Sequence, residues 1–245
     1  MLNKLKTDYL RWILRAWRYR LKVEKQEVRF MLQHLKPGQT AVDIGAHKGA
    51  YTYWMSRSTG KNGNVFAFEP QPSLYHQLNK TIDNTEINNI HVELLALSSS
   101  KGENTLFIPS EKASPSASIH NKKLDERFKT KIKVTTTTLD DYFCYQNQIP
   151  VHFIKCDVEG HELQVLENAQ KMLKEYQPII ILESEARHCG KNNVFAVFDL
   201  LNKNGYNGFF FNEKKMLSLK NFDIYEYQLD PNKKIYVNNF FFIPK

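Results

Sequence analysis

A chain of 245 residues with 42% hydrophobic residues can bury a full core, and nothing in it demands two domains. Its three cysteines are too widely spaced for a paired-cysteine metal clip, and it holds no apolar run of the about 18 residues that a membrane-spanning helix needs. The N-terminus also lacks the apolar core and cleavage site of a signal peptide, so we expect a cytoplasmic protein.

The net charge of +8 is concentrated in residues 1–36, which carry ten basic and three acidic side chains. Such a basic amphipathic helix suits an anionic membrane surface or an acidic partner. The alternative is a helix that packs on the domain and leaves a basic face in solvent, and Trp12 and Trp17 are compatible with buried anchors or lipid contacts. We divide the chain into this helical extension and a domain over residues 37–245. Helical spacing gathers on one side of the arm Leu2, Leu5, Tyr9, Ile13, Trp17 and Leu21.

From Thr40 onward, strands and helices alternate, which predicts an α/β fold whose mostly parallel sheet has helices on both faces. Between two exposed strands, the polar residues 110–123 are predicted to form a loop and a candidate substrate lid. Seven principal strands are expected, at residues 40–44, 64–68, 90–97, 151–156, 179–182, 208–211 and 235–243.

The segment AVDIGAHKG, residues 41–49, is typical of a buried strand that turns sharply into a helix. Gly45 permits the turn, Gly49 permits close helix packing, and Glu69 at the end of the next strand can accept two hydrogen bonds from a ribose. The middle glycine of a dinucleotide loop is absent, and Asp43 suits a positively charged amino group. A ligand with both a ribose and an ammonium group is S-adenosylmethionine (SAM). Taken alone, the glycines also fit a plain strand-to-helix turn.

Four carboxylates each lie at or next to the carboxyl end of a predicted strand, so they should converge on one rim of the sheet: Asp43, Glu69, Asp157 and Glu183. The segment IKCDVEGHE brings further polar groups to that rim. If its strand alternates regularly, Lys155, Asp157 and Glu159 start out on one side, although a turn at Gly160 can re-aim Glu159.

From Thr40 to Asn212 the chain resembles the FkbM family of SAM-dependent methyltransferases. The resemblance rests on VDIGAHKGAYT, FAFEPQP, ALSSSKGE, TLDDYF, FIKCDVEGHELQVLENA and IIILE, of which the DVEG-containing segment is the most specific. It implies a Rossmann-like class I methyltransferase fold and methylation of hydroxyl groups in glycans, glycolipids or small natural products. The arm lies outside the resemblance, so the acceptor is not implied. The residues that the resemblance places at the cofactor are Asp43, Gly45, Ala46, Gly49, Glu69, Pro70 and Ser98.

Methyl transfer to oxygen requires an in-line approach and removal of the hydroxyl proton. Asp157 is the first candidate for the base, because it ends the strand nearest the expected methyl group, and Glu159 and His161 are the alternatives. Lys155 can pair with a neighbouring carboxylate and fix its geometry, or form a purely structural ion pair. Glu162 is better explained by the N-terminal end of a helix dipole than by catalysis.

A divalent metal on Asp157, Glu183 and His188 could grip a sugar diol, but the spacing is not diagnostic and no metal is predicted. Two other function classes stay open. A nucleic-acid methyltransferase is favoured only by the basic charge, and DVEG stands where enzymes acting on flipped bases carry an Asn or Asp followed by two prolines and an aromatic residue. A non-catalytic membrane-docking module is disfavoured by the intact carboxylates. The oligomeric state is not predicted.

Overall fold

The computed structural model describes residues 2–109, 113–119 and 130–245, so part of the predicted loop at residues 110–123 lies outside the described residues. In chain order, the strands are β1 (Thr40–Ile44), β2 (Asn64–Phe68), β3 (Ile90–Glu93), β4 (Ala96–Leu97), β5 (Gly102–Ile108), β6 (Thr130–Thr137), β7 (Phe153–Cys156), β8 (Ile179–Glu183), β9 (Tyr206–Asn212), β10 (Lys215–Ser218) and β11 (Asn239–Pro244). The α-helices are α1 (Leu2–Arg18), α2 (Lys25–His34), α3 (Ala50–Thr59), α4 (Pro72–Asp83), α5 (Glu162–Glu167), α6 (Gln170–Glu175), α7 (Ala186–Cys189) and α8 (Lys191–Lys203).

A central sheet of eight strands has the order β10-β9-β11-β8-β7-β1-β2-β3. From β8 to β3 all neighbours are parallel, whereas β11, β9 and β10 pair antiparallel to their neighbours. The predicted α/β class with a mostly parallel sheet is therefore confirmed, and the edge strand β10 adds an eighth strand to the expected seven. A small second sheet has the order β4-β6-β5.

Helices cover both faces of the central sheet, as the alternation of elements predicts. On one face, α5, α6 and α8 contribute the buried side chains Leu166, Leu173 and Leu201 to the core. On the other face, α2 and α3 contribute Met31 and Met55. Because α2 belongs to the arm, the arm shares a core with the sheet.

The structure corrects one predicted element. The expected strand at residues 90–97 divides, because β3 pairs with β2 in the central sheet while β4 pairs with β6 in the small sheet. After Gly160 the chain forms two short helices, α5 and α6, with a break between them. Asp140 explains this break, since its two carboxylate oxygens each accept a hydrogen bond of 2.8 Å from the backbone N–H of Lys171 or Met172. A carboxylate that satisfies free N–H groups favours a new helix start there.

The N-terminal arm runs from α1 through a π-helical turn (Tyr19–Val23) into α2. The indole of Trp12 is 4% exposed, and its N–H donates a 2.7 Å hydrogen bond to the carbonyl of Gly49. The indole of Trp54 donates a 2.8 Å bond to the carbonyl of Ala16. Trp12 is thus a buried anchor, while Trp17 is 41% exposed. Within the described residues, no helix combines the length and apolar character that crossing a bilayer requires.

Candidate active site

Two adjoining cavities open at the carboxyl ends of β1, β2 and β7. One, of about 530 Å³, reaches Glu69 and is called the Glu69 cavity. The other, of about 550 Å³, reaches Lys155 and is called the Lys155 cavity. Gly45 and Asp157 line both of them. In an open α/β sheet this edge is the place where ligands bind, so the predicted rim is the candidate site.

Glu69 lies at one end of the Glu69 cavity and is 2% exposed. Its Oε2 accepts a 2.8 Å hydrogen bond from the backbone N–H of His47, and its Oε1 accepts a 2.9 Å bond from that of Gln71. Each oxygen keeps a second lone pair for a ligand hydroxyl. Burial raises the pKa of Glu69 to about 7, against the opposing effect of these hydrogen bonds. The carboxylate is therefore held in a geometry that suits a ribose diol.

The remaining lining of the Glu69 cavity is mostly apolar and includes Phe68, Leu97 and Ile119 together with the predicted cofactor residue Pro70. Such walls form a slot for a flat, weakly polar ring. The slot fits SAM because it suits a flat ring and ends at Glu69. The carboxylate of Glu69 is already oriented by two backbone N–H donors. Of the predicted cofactor residues, Gly45, Glu69 and Pro70 line this cavity.

Gly45 explains how two strand ends meet at the junction of the cavities. Its φ is +79°, and a Cβ at this position would lie 1.9 Å from the carbonyl oxygen of Asp157. Only glycine allows both the left-handed backbone and this close approach. Ala46 is buried and lines the Lys155 cavity. Gly49, in contrast, lines neither cavity, since a Cβ there would meet Trp12 and Leu78 instead.

Asp43 is 3% exposed and lines the Lys155 cavity. Its Oδ2 accepts a 2.5 Å hydrogen bond from the hydroxyl of Thr52. Burial raises the pKa of Asp43 to about 6, while the bond from Thr52 opposes that rise. The carboxylate suits the amino group of a bound SAM, as predicted, because a cation restores the favourable interactions that burial removed.

Lys155 is a buried ammonium group surrounded by carboxylates. It is 1% exposed, and its Nζ lies 3.7 Å from Oδ2 of Asp157 and 4.0 Å from Oε2 of Glu183. Burial lowers the pKa of Lys155, but the charges of Asp157, Glu24 and Glu183 outweigh burial and raise it overall. Among the described residues, no group accepts a geometrically good hydrogen bond from Nζ. The charged Nζ of Lys155 can therefore donate hydrogen bonds to a ligand in the Lys155 cavity.

The other acidic groups of the DVEG segment are already engaged. Glu159 has a φ of +54°, which turns it away from regular strand alternation, and its Oε2 lies 3.1 Å from Nε2 of His188. Burial and the neighbouring Asp157 raise the pKa of Glu159 to about 8. Glu162 accepts hydrogen bonds from the backbone N–H groups of Gly160, at 3.0 Å, and Val158, at 3.3 Å. Glu162 therefore holds the turn, in agreement with a structural role.

His161 and Ser98 lie together on the side of the Glu69 cavity. The Nε2 of His161 is 2.9 Å from the hydroxyl of Ser98, and both residues are buried. His161 lines the Glu69 cavity and is absent from the lining of the Lys155 cavity. The alternative base and the predicted cofactor residue thus form one pair on the cofactor side.

The three residues considered as metal ligands, Asp157, Glu183 and His188, do not come together around one point. Asp157 and Glu183 both face the ammonium of Lys155, whereas His188 pairs with Glu159 and Glu185. Among the described residues, no group of three or more His, Cys, Asp or Glu side chains could hold a metal ion. The lysine supplies the positive charge between the two carboxylates that a metal would otherwise supply.

Sequence reasoning missed the contribution of the arm to the site, whereas it predicts the long insertion as a candidate substrate lid. From the arm, Arg15, Tyr19 and Glu24 line the Lys155 cavity. From the long insertion, Pro115 lines both cavities, and the backbone of Ser114 exchanges two hydrogen bonds with the side chain of Gln71. The described residues 113–119 thus lie over the predicted site. The arm carried no motif that could have indicated its role.

The chain is similar to known methyltransferases. A family model described as the methyltransferase FkbM domain matches residues 43–207. The hexuronic acid methyltransferase AglP of Haloferax volcanii is 30% identical over 167 residues, which are 67% of this chain and 64% of that protein. The chain therefore spans less than two thirds of the length of this relative. The ribosomal RNA large subunit methyltransferase E of Hydrogenovibrio crunogenus is 34% identical over 70 residues, 29% of this chain and 31% of that protein.

A solved structure supports the fold. The crystal structure of methyltransferase FkbM from Methylobacillus flagellatus KT aligns with a TM-score of 0.53 at 14% identity, covering 96% of this chain and 54% of that one. At this level of identity the likeness concerns the fold alone. It confirms the class I methyltransferase fold that the motifs predicted.

Proposed function

Because the chain belongs to the FkbM methyltransferase family, we propose that it is an enzyme that transfers a methyl group from SAM to a hydroxyl group of a sugar. Family membership bears out the SAM cofactor predicted from the glycine turn. The observation that carries the proposed chemistry is the pair of Asp157 and Lys155 at the junction of the two cavities.

The chain's own groups fit SAM at both of its polar ends. Glu69 would hold the ribose hydroxyls, with Pro70 in the wall of the same cavity, and Asp43 would hold the amino group. Gly45, which lines both cavities, lets the ends of β1 and β7 approach each other between these two groups. SAM, when bound, supplies a methyl group on a positively charged sulfur. The protein therefore needs mainly to orient the acceptor and to manage one proton.

Asp157 is the proposed base that accepts the proton of the acceptor hydroxyl. Lys155 stays protonated and stabilises negative charge on the acceptor oxygen as that proton leaves. Glu159 is the weaker candidate, because a carboxyl group with a pKa of about 8 is mostly protonated at neutral pH. His161 is also a weaker candidate than Asp157, because it lines only the Glu69 cavity, whereas Asp157 also lines the Lys155 cavity. Both remain the alternatives to be tested.

A sugar is the proposed acceptor because of the polar and aromatic lining of the Lys155 cavity. Tyr19 and Tyr51 offer ring faces, while Arg15 and Lys48 add positive charge on the same lining. Aromatic rings pack against the apolar face of a sugar, and cations suit a carboxylate. The relative from Haloferax volcanii is named for a hexuronic acid, which carries both features. We therefore propose a sugar acid, within a glycan or glycolipid, as the acceptor.

The decisive experiment supplies the enzyme with SAM that carries an isotopically labelled methyl group. Glycan, glycolipid, small-metabolite and RNA fractions are incubated separately and analysed by mass spectrometry. We expect the label in a sugar-containing species and none in RNA. Label in RNA alone would instead support a nucleic-acid methyltransferase. The similarity to a ribosomal RNA methyltransferase over 29% of this chain motivates that arm of the experiment.

We also propose that the arm attaches the enzyme to the anionic cytoplasmic surface of a membrane. Four exposed apolar residues lie along α1 and the π-helical turn that follows it: Leu10, Leu14, Trp17 and Leu21, which are 54%, 59%, 41% and 55% exposed. Exposed basic residues, among them Arg11, Arg18 and Lys22, lie on the same helical segment. An apolar stripe flanked by cations is typical of helices that lie in a membrane interface.

A further inference from the structure

The arm reaches the active site although it lies outside the matched segment of residues 43–207. Tyr19 and Glu24 both line the Lys155 cavity, together with Asp43, Lys155 and Asp157 of the family segment. Two hydrogen bonds of the arm, from Trp12 to Gly49 and from Trp54 to Ala16, fix α1 against the domain. The wall that the arm provides is therefore anchored at the glycine turn itself.

Glu24 is a partly buried carboxylate that the arm contributes to the Lys155 cavity. Its Oε2 accepts a 2.5 Å hydrogen bond from the hydroxyl of Tyr51, a residue of α3 that is 6% exposed. Burial raises the pKa of Glu24, whereas the charge of Lys155 opposes that rise. A carboxylate kept inside a polar cavity beside an ammonium group is arranged to interact with a ligand.

Tyr19 completes the wall with an aromatic ring. Its ring centroid lies 6.4 Å from that of Tyr51, and the two rings are almost perpendicular at 80°. Tyr19 is only partly buried, so one part of its ring faces the cavity that it lines. Two crossed rings beside a carboxylate combine apolar contact with hydrogen-bond acceptance, which is what a sugar ring with its hydroxyls requires.

We propose that the arm forms the subsite that binds the sugar ring of the acceptor. Tyr19 packs against the ring, and Glu24 accepts a hydrogen bond from a hydroxyl that is not methylated. Selection of the acceptor therefore resides in residues outside the family segment, while Asp43, Gly45 and Glu69 within it serve the cofactor. This inference rests on the proposed function, because it specifies how the same acceptor is held.

The test compares Tyr19→Ala, Tyr19→Phe and Glu24→Gln with the wild type and with Gln33→Ala, a control at an exposed position of α2 in the same arm. The measurements are kcat and KM on the sugar fraction that the wild type labels, and the Kd of SAM by calorimetry. We expect Tyr19→Ala and Glu24→Gln to raise the acceptor KM about tenfold while the SAM Kd changes less than about twofold. Tyr19→Phe keeps the ring and should restore a KM near that of the wild type.

Two outcomes would overturn the subsite. An unchanged acceptor KM in both Tyr19→Ala and Glu24→Gln would mean that the arm does not touch the acceptor. An equal loss of SAM affinity would mean that the arm holds the cofactor. The Kd of SAM separates a contact of the ring from a general loss of folding, because a damaged fold would also lose SAM binding. The Tyr19→Phe variant then shows whether the ring suffices without its hydroxyl.

A second measurement keeps the subsite testable if the proposed function fails. Saturation-transfer NMR would be recorded with methyl β-D-glucuronoside as the probe and protein loaded with S-adenosylhomocysteine. Signal in the wild type that Tyr19→Ala removes supports the subsite even if no natural sugar is labelled. No signal in the wild type, with label found only in other fractions, contradicts both the subsite and the sugar acceptor. Label in sugars with no effect of the arm variants contradicts the subsite alone.

Discussion

The ammonium group of Lys155 lies 3.7 Å from the carboxylate of Asp157, where the Glu69 cavity and the Lys155 cavity meet. This pair combines a proton acceptor with a fixed positive charge. Glu183 lies 4.0 Å from the same ammonium group, and burial and the charge of Asp157 raise the pKa of Glu183. The neighbouring carboxylates raise the pKa of Lys155 overall, so the ammonium group stays charged at neutral pH.

Asp157→Asn should lower kcat by about 100-fold or more while the Kd of SAM stays within about threefold of the wild type. The reason is that an amide cannot accept the hydroxyl proton, although its size preserves the cavity. Initial rates with labelled methyl donor and calorimetric SAM titration provide the two measurements. Glu159→Gln is the matched control and should retain most activity. Loss of turnover in Glu159→Gln, with turnover retained in Asp157→Asn, would move the base to Glu159.

Glu69→Ala should weaken SAM binding by about 1.5 to 3 kcal/mol, as measured by calorimetric titration, because it removes charge-assisted hydrogen bonds to the ribose.

The pKa of Glu69, about 7 in the protein without ligand, also predicts that SAM binding depends on pH. Below this pKa the carboxyl group is protonated and accepts fewer hydrogen bonds. SAM affinity should therefore fall about fourfold from about pH 8 to about pH 6.5. Glu69→Gln should flatten this dependence, and an identical pH profile in both proteins would exclude Glu69 as its source.

Glu27→Gln should stabilise the protein at high pH. Burial raises the pKa of Glu27 from 4.5 to about 7. The folded protein then binds this proton more tightly than the unfolded chain, so the stability from the raised pKa is complete below about pH 4.5 and is lost as the pH rises through about 7. At about pH 8 the substitution should raise the free energy of unfolding by about 1 to 3 kcal/mol.

Urea unfolding at about pH 8 and about pH 4.5 would measure this difference for Glu27→Gln. Glu103→Gln is a control with the same change of charge at an exposed position. The two variants should differ at high pH and converge at low pH. A gain in Glu27→Gln of equal size at both pH values would show that the ionisation of Glu27 is not the cause.

Leu14→Glu and Leu21→Glu should reduce binding to anionic vesicles, because each places a negative charge within the exposed apolar stripe. Each basic residue that reaches the surface contributes about 1 kcal/mol, and salt should weaken the attraction as the Debye length falls from about 10 Å to about 3 Å. Co-sedimentation with vesicles at low and high salt would measure it. Phe195→Glu, on α8 and 41% exposed in the wild type, is the control. Equal sedimentation of all four proteins would exclude the stripe as a membrane contact.

The elements of the sheet could be predicted because their signals are local. Buried apolar strands, the turn glycines and the carboxylates at strand ends together indicate the α/β fold and the positions of Asp43, Glu69 and Asp157. The division of residues 90–97 could not be predicted, since the segment IHVELLAL contains no glycine or proline that would mark a break. Only the pairing of β4 with β6 separates Ala96 and Leu97 from the central sheet.

The role of the arm depended on tertiary contacts. Helical spacing predicted an amphipathic helix, but the side that faces the domain was decided by Trp12 at the carbonyl of Gly49. This contact joins residues 37 positions apart, so no local pattern reports it. The opposite side keeps Leu10 and Leu14 exposed.

By itself, the sequence determined the family, the fold class, the cofactor and the carboxylates at the strand ends, because each follows from residue types at fixed short spacings. Only the tertiary structure decided that Lys155 lies within 4.0 Å of both Asp157 and Glu183, and that His161 lines the Glu69 cavity. Only the tertiary structure brought Glu24 of the arm to the Lys155 cavity. The physical reason is that the field at Lys155 is the sum of charges from the arm, β7 and β8, and chain packing alone sets the distances between them.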